Sequence, residues 1–527
     1  MANSAQDSAQ PPSTALTSPN ATGPEAGELV QARLEKLRRL REQGSDPFEH
    51  ERFDRSHTCA QAVVAFAEWE RGAAGQDPAP ELIRARLCGR LVSRRVMGKA
   101  VFLDIRDESG RIQLYCRANV LGPDSFARLE MLDIGDFLGL HGNLFRTRMG
   151  EITLEVASFD ILAKAIRPLP FGKTVGEEHH NDVADVEFRY RQRYADLAVH
   201  PEVRDHFRRR SLILRSIREF FDGRGYIEVE TPVLQSVAGG ASARPFNTHH
   251  NALNQGLHLR ISLELYLKRL IVGGFERVYE IGRVFRNEGI DTSHNPEFTM
   301  LESYEAYVNL ESIEELVEQL VASLATQLYG RPVIPHGDGE IDLTPPWPRL
   351  PVLDAIRART GVEPEAFLSF ESAHSAVERV GMDVSREVNV GGIVAQFLDK
   401  RVEPHLFQPV FITEYPVEIS PLAKKIPGRP HLTRRFEAYV ACSELANAFS
   451  EINDPLDQRE RFLAQAALRA AGDDEAHPLD EDYLRALEYG MPPTGGLGIG
   501  IDRLVMLLTN TDSIRDVLLF PQMKPER

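Results

Sequence analysis

Apolar positions recur with two different periods along this chain, and the changes of period divide it. Residues 29–44, LVQARLEKLRRLREQG, set Leu34, Leu37 and Leu40 on one stripe and stop at Gly44, which predicts an amphipathic helix. Its other face carries Arg33, Lys36, Arg38, Arg39 and Arg41, either a solvated face or one that meets a phosphate backbone. Over residues 83–166 the period shortens. The runs IRARLCGRLVSRR, AVFLDIRDESGRIQLYC, DFLGLHGNLFRT and GEITLEVASFDIL read as short strands parted by turns at Gly98, Gly110, Gly142 and Gly150. Strands at this spacing predict a small all-β barrel, with a five-stranded OB-fold, a scaffold that binds oligonucleotides, as one candidate.

Residues 167–205 contain the polar stretch GKTVGEEHHNDVADVE and read as a linker or hinge. His179 and His180 there lack a second ligand pair at helical spacing, so a solvated loop is expected rather than a metal site. From about residue 206 helical and strand patterns alternate. ESIEELVEQLVASLATQLYG (311–330) keeps a helical period and closes on Gly330. VYEIGRVFRNEG (278–289) and EFTMLESYEAYV (297–308) alternate with period two and predict antiparallel neighbours joined by a loop.

Length and charge narrow the field. A chain of 527 residues exceeds one core, so two or three domains are expected. At 42% hydrophobic and 26% charged it has globular composition, and it contains no apolar run of the ~18 residues a membrane span needs. Residues 1–28 are rich in Ser, Ala, Pro and Thr and hold no Lys or Arg, which predicts a disordered tail rather than a secretory or mitochondrial leader. Cys59, Cys88, Cys116 and Cys442 form no CxxC pair, which fits a reducing cytoplasm. A net charge of −17 disfavours indiscriminate nucleic-acid binding but leaves room for a local basic face.

Three stretches carry candidate chemistry. FRNEGIDTSHNPEFTMLE (285–302) places Arg286, Glu288, His294, Phe298 and Glu302 on two strands and their loop. Arg286 is expected across from Glu302, offering a planar fork of donors to a phosphate or carboxylate. Phe298 offers a face on which a base stacks, Glu288 an acceptor for an exocyclic amine, and His294 a donor to phosphate; together they read as a nucleotide site. GGLGIGIDRLVMLLT (495–509) fails as a dinucleotide fingerprint, because its third glycine is misplaced and no acid follows about 20 residues on. It predicts instead a strand of small residues, open to close approach by a ligand, running into a helix at Asp502–Arg503. In RRFEAYVACSELANAFSEIND (434–454), Glu437 and Glu444 lack nearby His or Cys and so favour a hard cation such as Mg²⁺.

These segments resemble the three signature motifs of class II aminoacyl-tRNA synthetases. REFFDGRGYIEVETPVL (218–234) resembles motif 1, with Pro232 at its proline; FRNEG…HNPEFTMLE resembles motif 2; and GLGIGIDRLVM resembles motif 3. With GGASARPFNTHHNAL, LELYLKRLIVGGFERVYEIGR and PVEISPLAK, the likeness is to the bacterial-type lysyl-tRNA synthetase family and covers nearly all the chain from about residue 30.

The resemblance implies an α+β multidomain protein: an N-terminal helical segment (29–82), an OB-fold anticodon-binding domain (83–166), and a catalytic domain (206–527) built on an antiparallel sheet flanked by helices. It implies lysine activation by ATP to lysyl-adenylate and pyrophosphate, then transfer to the 3′ end of tRNA(Lys). Arg286 would clamp the α-phosphate and the amino-acid carboxylate. Phe298 and Arg503 would sandwich adenine, Glu288 would read its amino group, and His294 would lie near the outer phosphates. Glu437 and Glu444 would hold Mg²⁺. Gly240 and Glu264 would meet the α-ammonium, Asn447 would steady the carboxylate, and Glu302, Tyr304 and Glu451 would surround the ε-ammonium. Phe102 would stack anticodon bases, Gln113 would read the central uridine, and Arg90, Arg94 and Arg95 would add phosphate or base contacts, with Glu151 beside them. A homodimer through motif 1 is implied, and no membrane association.

Aspartyl- and asparaginyl-tRNA synthetases share this architecture, but a short acid or amide calls for cations, which Glu264 and Glu451 are not. Lysine-ligating paralogues that modify proteins lack the front barrel, and a regulator on an inactive scaffold would lose motif 2 or motif 3 residues. Two departures stand out: Ala441 and Cys442 replace glycines common in the family, which is expected to raise the pocket floor, and the linker FGKTVGEEHHND is longer than usual.

Overall fold

The computed structural model describes residues 24–73, 81–171, 173–175, 178–180, 185–385, 387–473 and 475–526. These form two compact units, divided between Asp185 and Val186.

In the first unit, strands β1 (Arg84–Met97), β2 (Ala100–Arg106), β3 (Arg111–Arg117), β4 (Phe137–Arg146) and β5 (Ile152–Ala163) close into a barrel in the order β1-β2-β3-β5-β4. Alternate residues fill it: Leu87, Leu91, Leu103, Ile105, Leu114, Leu140 and Leu154 point inward and are buried. Helix α1 (Pro24–Glu42) and helix α2 (Cys59–Ala73) lay Leu40, Cys59, Ala62 and Phe66 against that same core. Helix α1 starts earlier than its apolar stripe suggests, so residues 24–28, assigned to the tail, are helical. The rest of the tail, residues 1–23, lies outside the described residues.

The basic face of α1 is largely committed within this unit. Arg33 is buried and donates to the carbonyls of Ile134, Ala165 and Arg167, and Lys36 pairs with Asp133 at 2.7 Å. Arg38 and Arg39 pair with Glu35, and Arg41 with Asp46.

The stretch read as a linker is mostly structured. Residues Lys173–Val175 pair antiparallel with Glu178–His180, while Gly172, Gly176, Glu177 and residues 181–184 lie outside the described residues. Helices Val186–Arg191 and Arg193–Val199 already belong to the second unit. A buried network explains why: Arg193 pairs with Asp196 at 2.7 Å and donates to the carbonyls of Arg515 and Leu519, and Asp196 also takes Arg189 and His200. Burying those charges requires the C-terminal segment, so the second unit begins at Val186 and not at 206.

The second unit is built on an eight-stranded sheet. In chain order its strands are β6 (Ile227–Glu228), β7 (Arg277–Phe285), β8 (Glu297–Ala306), β9 (Arg349–Pro351), β10 (Val410–Thr413), β11 (Arg435–Val440), β12 (Ser443–Ser450) and β13 (Thr494–Gly500). Their spatial order is β9-β10-β11-β12-β13-β8-β7-β6, antiparallel except for the two edge pairs. One face packs on helices α3 (Pro201–Asp222), α5 (Leu310–Tyr329) and α6 (Ile501–Thr509). There Leu301, Phe436, Ala438, Ala446, Ala448, Leu497 and Ile499 meet Ile213, Ile217, Val317, Leu320, Leu504 and Leu508. Helix α4 (Glu264–Val272) packs on β8 from the motif that precedes β7. Among the described residues, no helix is long and apolar enough to cross a membrane.

Candidate active site

Period-two alternation sends the residues between those core positions to the other face of the sheet. The register lines them up in rows. Glu302 pairs with Gly498, Gly498 with Asn447, and Asn447 with Glu437, a row across four strands. Two residues along, Tyr304 pairs with Gly496, Gly496 with Phe449, and Phe449 with Arg435. Glycines thus occupy the middle of each row and open a trough between polar walls. Gly496 has no alternative: a Cβ there would lie 1.9 Å from Glu451 Oε1 and 2.6 Å from Tyr304 Cε1. Gly495 serves the opposite face, where a Cβ would strike Ile313 at 2.6 Å.

The trough is a cavity of about 470 Å³. It is lined by every residue that the sequence put forward for catalysis, nucleotide, amino acid or metal: Gly240, Glu264, Arg286, Glu288, His294, Phe298, Glu302, Tyr304, Glu437, Glu444, Asn447, Glu451 and Arg503.

One expected pairing is not found. Glu280, not Arg286, stands opposite Glu302, because β7 ends at Phe285, whose partner is Glu297. Arg286 sits just past the strand end, its backbone N–H donating to the Pro296 carbonyl at 2.8 Å. Its guanidinium lies 5.1 Å from the centre of the Phe298 ring and makes two long contacts, 3.4 Å to the Ile261 carbonyl and 4.0 Å to the Met300 sulfur, so most of its donors face the cavity. Arg503 reaches the same cavity from α6, donating to the Glu444 carbonyl at 3.2 Å and lying 3.4 Å from His294 Nε2. The motifs are tied together by buried Asp502, which takes Arg210 of α3 at 2.6 Å and the Thr299 N–H of β8 at 2.8 Å.

The opposite end of the cavity is acidic. Glu264, Glu302 and Glu451 are all buried. Glu302 accepts from Ser262 Oγ and Leu263 N–H at 2.9 Å and from the Tyr304 hydroxyl at 3.0 Å. Burial and the neighbouring Glu264 still push its pKa up to about 7. Burial lifts Glu451 further, to about 8, although the ammonium of Lys268 pulls the other way. Glu451 ion-pairs with Lys268 through Oε2, while its Oε1 meets no hydrogen-bond donor among the described residues. Gly240 takes a positive φ of 89°, and a Cβ on it would lie 2.8 Å from Ser262 Oγ and 3.3 Å from Glu264 Cβ, so glycine is what lets this loop close on Glu264.

Glu437 accepts from the Tyr415 and Tyr439 hydroxyls at 2.8 and 2.6 Å and from Arg435 at 2.5 Å. Glu444 titrates high because the cavity wall desolvates it, although its side chain is partly exposed, and because it faces Glu437. Ala441 and Cys442 do not form the pocket floor. They are the two central residues of the β11–β12 turn, with φ of 54° and 57°, and neither lines the cavity. A two-residue turn with positive φ at both central positions is one that glycine or asparagine adopts without the strain an alanine or cysteine carries.

Sequence reasoning passed over Arg435 and Lys268. Arg435 holds Asn447 Oδ1, Glu437 and the Ile419 carbonyl at once, at 3.2, 2.5 and 2.6 Å. Its signal was the i,i+2 spacing to Glu437, which puts both on one face of a strand. Lys268 lies one helical turn beyond Glu264, a spacing that ordinarily marks an exposed pair.

On the barrel, Phe102 points away from the core. It is half-buried, with its ring 4.8 Å from Tyr115, which lies 5.9 Å from Phe145, so β2, β3 and β4 carry an outward aromatic row that passes over β5, the strand between the last two. Gln113 is buried at the edge of β3, donating to Glu151 and accepting from Thr153, both at 3.1 Å. Arg90 packs 4.2 Å over Phe137 and donates to the Gly135 carbonyl at 3.0 Å, which leaves it less free than an arginine awaiting phosphate. Arg94 makes a 3.5 Å contact to the Leu132 carbonyl, and exposed Arg95 stands 3.7 Å from Asp104.

Comparison with known proteins agrees with both units. Residues 185–524 match the family described as tRNA synthetases class II (D, K and N), and residues 85–162 match the OB-fold nucleic acid binding domain. The chain is 53% identical to the lysine–tRNA ligase of Pelotomaculum thermopropionicum over 94% of this chain and 95% of that one. It is 51% identical to the ligase of the same name from Moorella thermoacetica, over 95% of this chain and 98% of the relative. The corresponding Bacillus subtilis enzyme is 48% identical, over 95% and 98%.

Proposed function

Because the chain belongs to the class II tRNA synthetases of the D, K and N group, we propose that it activates L-lysine with ATP and transfers the lysyl group to the 3′ end of tRNA(Lys) in the cytoplasm. The observation that carries the choice of lysine is the buried Oε1 of Glu451, an acceptor without a donor, in a cavity that also holds Glu264 and Glu302. A buried acceptor left unpaired costs about 1–3 kcal/mol, more when charged. An ε-ammonium relieves it, with Tyr304 and Glu302 alongside, while the α-ammonium lies by Gly240 and Glu264. A neutral isostere leaves a buried carboxylate unpaired at a cost of about 3–5 kcal/mol, a factor of hundreds or more. The aspartate and asparagine members of the group need cations at that end, and three acids oppose their substrates.

At the other end Arg286 holds the lysine carboxylate and the ATP α-phosphate, Asn447 steadies the carboxylate, and Phe298 and Arg503 sandwich adenine. Glu288 accepts from the adenine amino group and His294 reaches the outer phosphates. The carboxylate, already ionised near pH 7, attacks the α-phosphorus in line; the bond to the bridging oxygen breaks and pyrophosphate leaves. Catalysis is then positioning and charge neutralisation, by Arg286 and Arg503. Glu437 and Glu444 suit Mg²⁺: they are two hard, mutually repelling carboxylates on the cavity wall and would hold the ion there. When bound, Mg²⁺ neutralises charge on the phosphates. In the second step the terminal ribose hydroxyl attacks the carbonyl carbon of the mixed anhydride, the bond from that carbon to the phosphate oxygen breaks, and AMP leaves, its phosphate taking the hydroxyl proton.

The barrel is the anticodon reader in this scheme. Splayed bases stack on the row begun by Phe102, and Gln113 reads the central uridine. A homodimer through motif 1 is part of the proposal, supported by exposed Ile227, Val233 and Leu234 in that segment. The test is ATP–pyrophosphate exchange with each of the twenty amino acids. Lysine alone is expected to drive it, and exchange driven by aspartate or asparagine would overturn the assignment.

A further inference from the structure

Lys268 is fully buried beside the cavity, and the synthetase chemistry above does not use it. Its ammonium bridges Glu264 on its own helix and Glu451 just past β12. It also lies 6.0 Å from the ring centres of Tyr304 and Tyr483, within range of a cation–π contact. Burial pulls its pKa down, but Glu264 and Glu451 outweigh burial and hold it above the ordinary lysine value. We propose that Lys268 is a resident counter-ion of the amino-acid pocket: once Glu264, Glu302 and Glu451 are all ionised to receive the substrate it offsets one of them, leaving a deficit of two positive charges, the number a dibasic amino acid supplies. The inference rests on the lysine reading of the pocket.

The surroundings support this count. Tyr304 and Tyr483 titrate far above neutrality in this burial and remain uncharged. His477, buried at the cavity edge with no partner for Nδ1 among the described residues, is pushed down to about 4 by burial and by Lys268, so it is neutral too. Two further cations act at the margin: burial raises Glu264 and Arg435 offsets a small part of that, while burial lowers Lys424 and Glu451 offsets part of that. Arg435 is already engaged by Glu437 and Asn447, so it does not replace Lys268. Without Lys268, the pocket is expected to recover its charge balance by holding one more proton, which lysine must then expel.

Lys268 is therefore a positioning residue whose loss changes proton linkage, whereas a merely structural tie between α4 and β12 would not. The experiment is lysine titration calorimetry near pH 7 in buffers of different ionisation enthalpy, with ATP affinity as control. Lys268→Met is expected to release about one proton more per lysine bound than the unaltered protein, with ATP affinity within about twofold. Glu264→Gln, which retains Lys268 and stands in if the first variant does not fold, is expected to release about one fewer. Lysine binding with an unchanged proton number in these variants would overturn the proposal alone. Failure of the unaltered protein to bind lysine would overturn the underlying reading as well.

Discussion

Glu451→Gln isolates one charge at the point where the pocket chooses its substrate. The side chain is fully buried, ion-paired with Lys268 and otherwise unmatched at Oε1. Removing one partner of such a pair costs about 3–5 kcal/mol. Part of that is already spent at pH 7. With a pKa of about 8, Glu451 is protonated in most empty pockets, and ionising it for the substrate costs about 1.4 kcal/mol. The net loss is then about 2–3.5 kcal/mol, a rise of roughly 30- to 300-fold in the KM for lysine. The sign of the pH dependence follows from the raised pKa: cation binding requires the ionised form, so lysine affinity in the unaltered protein rises with pH through about 8. From pH 7 to 8 the ionised fraction grows about fivefold, and the gap between the two proteins should widen by that factor. Lysine-dependent ATP–pyrophosphate exchange measured from pH 6 to 8.5 reads both quantities. A loss equal at every pH, or an equal loss in ATP affinity, would refute the assignment of Glu451 to the ammonium.

Three other variants probe the remaining parts. Arg286→Ala is expected to abolish lysine-dependent exchange with little change in melting temperature, since its side chain is held only by weak contacts to the Ile261 carbonyl, the Met300 sulfur and the Phe298 ring; exchange above a tenth of normal would contradict its role. Phe102→Ala should spare exchange and weaken tRNA charging by about tenfold, as befits one stack of about 1–3 kcal/mol, and a parallel loss of exchange would sink the anticodon assignment. Ala441→Asn combined with Cys442→Gly should stabilise the protein by about 1–2 kcal/mol by relieving left-handed backbone, seen as a higher melting temperature at unchanged activity.

Much of the candidate site was legible because its parts are local. The arginine, glutamate, histidine and phenylalanine of residues 285–302 occupy one hairpin, and the glycines, Asp502 and Arg503 occupy one strand–helix junction. Period-two patterning separated the core face of each strand from its site face, and the barrel announced itself by short strands and glycine turns. What the chain alone could not determine was register and partnership. Setting Arg286 opposite Glu302 assumed a shorter loop than the one that forms, and the sheet pairs Glu302 with Glu280 instead. Lys268 resembles any helix cation four residues from a glutamate until tertiary packing buries it and brings Glu451 from a strand nearly two hundred residues away. Arg193 and Asp196 look like linker polarity until the C-terminal carbonyls close over them. Local spacing determines which side chains share a face, because helix and strand periods are properties of the backbone. Which faces meet, and so which charges must be neutralised in the dark, was decided only when distant segments were packed together.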